Sequence, residues 1–139
     1  MANIKDLILD EKKEHEGVWV PYDLDVELLT GSTGSADFRK ACSELLKPYR
    51  QKIRTGELDF EERVKIIGPA IAEHLLKGWK NLNDNGKPIT FSVKKALEIF
   101  DILLDMRMFI LASADEKEWF RREYQKESAK NLPTASDGT

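Results

Sequence analysis

A chain of 139 residues can bury one hydrophobic core without disulfides or a structural metal, and a single domain over residues 1–132 is the economical reading. Its 22 basic and 25 acidic side chains leave a net charge of −3, which supplies no global field for nucleic acid or anionic lipid. Asp101, Asp105 and Arg107 cut the longest apolar run well short of the roughly 18 residues a membrane span needs, and the lone Cys42 cannot close an internal disulfide.

In chain order, the N-terminal stretch has one small apolar patch, Ile4, Leu7, Ile8 and Leu9, followed by a charged run. It does not read as a signal peptide, so a soluble intracellular protein is expected. In residues 17–29, GVWVPYDLDVELL, Val18, Val20 and Tyr22 alternate with Trp19 and Pro21, and Val26 and Leu28 repeat the alternation, so this stretch is expected to hold the only strands, as a β-hairpin. Pro21 places its strand at an edge, because it cannot donate to a ladder. A lone hairpin is marginal in water, so it must pack on helices. Thr30 to Ser35 read as a loop.

A helical stripe follows through Phe38, Ala41, Cys42, Leu45, Tyr49 and Ile53, with Pro48 expected to kink or restart it and Gly56 to stop it. Asp59 and Glu62 have capping-box spacing and should open the next helix. That helix should carry Val64, Ile67, Ile71, Leu75 and Trp79 on one face, with a bend at Gly68-Pro69. A polar turn over Asn81 to Pro88 leads to Ser92, an expected N-cap. From Ala96 to Leu111 apolar residues fall on almost every face of a third helix. Ser113 with Glu116 reads as a further helix start, opening a last helix to about Lys130, and residues 133–139 should be disordered. The expected fold class is mainly α (α+β): an N-terminal β-hairpin packed on a bundle of about four helices.

Chemistry is harder to find. Asn81, Asn83, Asn85 and Gly86 imitate a calcium loop, but its twelfth position is Ser92, where a bidentate Glu is required. His15 and His74 have no Cys or carboxylate constellation around them, and Ser92-Val93-Lys94-Lys95 lacks the companion motifs of a serine enzyme. No catalytic residue, metal or cofactor is expected. Two binding features remain. Lys47, Arg50, Lys52 and Arg54 form a basic stretch that reads either as favourable placement at a helix C-terminus or as a docking surface for an acidic partner or nucleic acid. Met106, Met108, Phe109, Trp119, Phe120 and Tyr124 exceed what one helical face can hide, and are candidates for a partner surface as well as for core.

Four stretches, IKDLILDEKKEHEGVWVPY, FRKACSELLKPYRQKI, HLLKGWKNLNDNGKPITFSVKKALEIF and RMFILASADEKEWF, resemble tail assembly chaperones of long-tailed bacteriophages, in order and spacing from about Ile4 to Asn131. The most telling part is Trp79, Leu82, Gly86, Phe91, Ser92, Ala96, Leu97 and Ile99; Phe91 replaces a usual Tyr and Val93 a frequent Pro. The resemblance implies a small helical protein of the host cytoplasm, absent from the mature virion. Its implied partners are the tape measure protein and the tail tube protein, with self-association or a frameshifted longer form as further options. Partner contacts are expected at Met106, Phe109, Trp119, Phe120, Tyr124, Lys47, Arg50 and Arg54, with no membrane and no nucleic acid as partner. The rival readings are a small helical nucleic-acid-binding regulator and a structural head–tail connector subunit.

Overall fold

The computed structural model describes residues 3–121, and it is mainly helical with a small sheet. Two short helices, α1 (Ile4–Leu7) and α2 (Glu11–Glu16), precede the hairpin of β1 (Val18–Pro21) and β2 (Glu27–Thr30). The hairpin pairs as its alternation demands, Val18 opposite Thr30 and Val20 opposite Leu28, so these four buried residues share the core face.

The first long helical stripe is divided where Pro48 sits. It comprises α3 (Ala36–Leu46), a 3-10 turn (Lys47–Tyr49) and α4 (Arg50–Arg54), and the chain leaves α4 through Gly56 at a φ of 75°. Ser35 caps α3 by accepting from the Phe38 N–H. The Asp59–Glu62 capping box is present and opens α5 (Phe60–Ile66). After the bend at Gly68-Pro69 come α6 (Gly68–Ala70) and a π-helical turn (Ile71–Leu75).

Here the first correction arises. Trp79 does not continue the helical face; the helix ends at Leu75, and β3 (Leu76–Lys80) pairs antiparallel with β2. The sheet therefore has three strands in the order β1–β2–β3, not the hairpin alone. Ile71, Leu75 and Trp79 have helical spacing, but Gly78 propagates a helix poorly and β2 offers an unpaired edge. The Gly31 N–H donating to the Leu75 carbonyl at 2.7 Å marks the switch from helix to ladder. On the sheet's other face Lys80 Nζ lies 4.1 Å from the Trp19 ring.

The polar turn is itself a miniature hairpin, β4 (Asn83–Asp84) with β5 (Lys87–Pro88), reversing at Asn85-Gly86. Both tip residues have positive φ, 51° and 80°, as a tight two-residue reversal requires. Ser92 then caps α7 (Val93–Phe100) through the Lys95 N–H.

The third helix is not continuous, which is the second correction. Residues 101–105 break it, and α8 (Met106–Ala114) follows. A helix apolar on all sides needs cover on all sides. Breaking it lets Ala96, Ile99 and Phe100 of α7 and Met106, Ile110 and Ala114 of α8 all reach one core, with Leu28, Ile71, Leu75 and Leu76. The break leaves Ile102 75% and Leu104 67% exposed. Ser113 is a third correction: it is buried inside α8 and caps nothing, and the chain continues as a 3-10 turn (Lys117–Phe120). Of the last helix expected from about Asp115 to Lys130, residues 115–121 form this turn and its flanks and no α-helix, while its remainder and the tail 133–139 lie outside the described residues. The N-terminal segment closes over this end, with the Asp10 N–H donating to the Phe120 carbonyl at 2.6 Å and Leu9 bridging Arg121.

Candidate functional site

An apolar recess runs between the β4–β5 hairpin and α7. Leu82, Ile89, Ile99, Ile102 and Leu103 supply its apolar wall and Asn83, Asp84, Lys95 and Glu98 its rim, around a groove of about 350 Å3. Each element has a local reason to be there. Asn85-Gly86 folds the hairpin back, and the Ile89 N–H donates to the Leu82 carbonyl at 3.0 Å, closing its base. Trp79 pins that base from β3, its indole N–H donating to the Ile89 carbonyl at 2.7 Å and its ring standing edge-on to Phe91 at 4.8 Å. On the opposite wall Lys95 and Glu98 are ion-paired at 3.0 Å, one turn apart on α7. Past Leu103 the exposed Leu104 extends the apolar character beyond the groove. A groove with a mainly apolar wall and a charged rim suits an apolar or amphipathic segment better than a small polar ligand.

The residues expected from sequence to meet a partner do not form one surface. Met106 is fully buried and Phe120 is 1% exposed, so both belong to packing clusters and are withdrawn as surface candidates. Phe109 is half-buried and stands edge-on to Tyr22, with centroids 4.9 Å apart. Trp119 is half-buried against Val18, Val20 and Phe120. Tyr124 lies outside the described residues. Lys47, Arg50 and Arg54 are exposed. Leu82, Ile89, Ile102 and Leu103 were missed by sequence reasoning. The signal that could have found them was Asn85-Gly86 between apolar residues, the mark of a hairpin rather than a mere turn.

The titratable groups that depart from their ordinary values do so through burial. Burial pushes the Cys42 thiol up to about 11, which favours its protonated form at neutral pH. Burial, and then the hydrogen bond from the Tyr22 hydroxyl to Asp105 at 2.9 Å, raises the Tyr22 phenol. Burial lowers the Lys77 amine, opposed by the charge of Asp37. Among the described residues no three His, Cys, Asp or Glu side chains stand where they could hold a metal ion, and no helix is long and apolar enough to cross a membrane.

A family model of YdaY prophage proteins matches residues 33–131, more than half of the chain, and spans both the groove and the basic stretch. No curated protein and no solved structure matches the chain. The match reaches as far as phage origin without singling out a role in tail assembly. The chain is a phage-derived protein and belongs to the YdaY prophage protein family.

Proposed function

We propose that this protein is a tail assembly chaperone: a non-catalytic binding protein of the host cytoplasm that holds apolar segments of the tape measure and tail tube proteins while the tail is built, and that is left out of the finished virion. The observation that carries the reading is the groove between the β4–β5 hairpin and α7, continued onto the exposed Ile102 and Leu104. An apolar surface of that kind, kept open on a folded protein, is what a holder of assembly-prone partners requires. Phage origin and the resemblance running from Trp79 to Ile99 support the choice of partners.

The direct test is co-expression of the tagged chain with the tail tube and tape measure proteins of the same phage or prophage. Co-purification of at least one of them is expected, together with absence of the chain from purified virions by mass spectrometry. Retention of neither partner, with normal tails after deletion of the gene, would overturn the reading; the chain's presence in virions would make it a connector subunit instead.

A further inference from the structure

We propose that the face formed by the end of α3, the 3-10 turn and α4 is a second docking surface, which takes a carboxylate-rich segment of a partner protein. Lys47, Arg50 and Arg54 fall at spacings of three and four, so they lie along one side of the turn and helix, and all three are exposed. Lys52, Lys40 and Arg39 are exposed beside them. Residues 39–54 hold six cations against one carboxylate, Glu44, a local +5 in a chain whose total is −3. Charge is therefore segregated on this molecule, not balanced locally.

Among the described residues none of these cations is ion-paired, although Arg39 donates to the Gly34 carbonyl at 3.4 Å. The ion pairs among the described residues are Glu73–His74, Lys95–Glu98 and Asp101–Arg107, and none uses this face. Arg54 donates only to the neutral Gln51 side chain, at 3.0 Å. Three of the acids that follow are engaged: Glu57 accepts from the Thr55 hydroxyl at 2.7 Å, and Asp59 and Glu62 close the capping box of α5. The helix dipole accounts for Lys47 at the end of α3 and for Lys52 and Arg54 in the last turn of α4. It does not account for Arg50, which opens α4 where the dipole disfavours a cation.

Carboxylates suit this face better than nucleic acid. A polyanion long enough to bind several phosphates would run on over a surface that is net negative elsewhere. The one aromatic residue within the patch, Tyr49, is half-buried and offers no open platform for a base. Two arginine forks with one lysine match the geometry and charge of a short run of Asp and Glu. The inference does not rest on the chaperone reading, because the groove uses other residues.

The test is fluorescence anisotropy with a labelled oligoglutamate, and with a single-stranded oligonucleotide of equal charge, at low salt. The expected result is binding of the oligoglutamate that weakens with salt and falls at least about tenfold in the variant Lys47→Glu, Arg50→Glu, Arg54→Glu. A control variant with the same change in net charge, Lys12→Glu, Lys87→Glu, Lys94→Glu, should stay within about twofold of the native chain. If the first variant melts early, Lys47→Gln, Arg50→Gln, Arg54→Gln carries the same expectation. No binding, an equal loss in the control, or tighter binding of the oligonucleotide through the same residues would each overturn the proposal.

Discussion

The Arg107 side chain is only 11% exposed, and what surrounds it shows how little its charge contributes to the fold. Its one ion-pair partner, Asp101, is 3.9 Å away and largely exposed, too distant and too solvated for a strong pair. The stem packs instead against Gly68, where an added Cβ would lie 3.4 Å from the Arg107 Cδ, and the head stands 5.9 Å from the Phe100 ring. Arg107→Met, which keeps the stem and removes the buried charge, should therefore leave urea unfolding unchanged within about 1 kcal/mol or stabilise it. Arg107→Ala should cost about 2–4 kcal/mol through the lost packing. Equal losses in the two variants would mean that the charge matters after all. The same distinction explains why Met106 and Phe120, which the sequence leaves between partner surface and core, belong to the core. Composition can count surplus apolar residues but cannot say that a break at residues 101–105 turns Met106 inward, or that Val18 and Val20 wait to receive Phe120.

At the scale of elements, local chemistry was legible wherever it decides locally. Ser35, Asp59 and Ser92 cap helices because each hydroxyl or carboxylate reaches a backbone N–H within three residues, and Pro48 and Gly56 act through their own backbones. What sequence hid was tertiary. β3 carries helical spacing and becomes a strand only because β2 is there to pair with it. The β4–β5 hairpin likewise depends on Trp79, which lies outside it. Trp79→Phe keeps a ring against Phe91 but removes the donor to the Ile89 carbonyl, and should cost about 1 kcal/mol. Hydrogen exchange should then quicken at the Ile89 amide and its neighbours, with α7 unchanged. Unaltered exchange there would mean that the hairpin holds its own position.

Over the whole molecule, two surfaces stand apart from the core: an apolar groove with exposed Ile102 and Leu104, and a basic face on α3 and α4. Half of this was visible in the sequence. The cations were legible because charge needs no fold to be counted. The groove was not, since Leu82, Ile99 and Leu103 become neighbours only after the hairpin folds back on α7. The central claim is that this groove holds a partner's apolar segment. The measurement that tests it most directly compares the native chain with Ile102→Ser, Leu104→Ser for melting temperature and for affinity toward the tail partner recovered by co-expression. Both side chains are exposed, so the melting temperature should barely move, while affinity falls by about tenfold or more. Undiminished affinity in a variant that melts like the native chain would contradict the account.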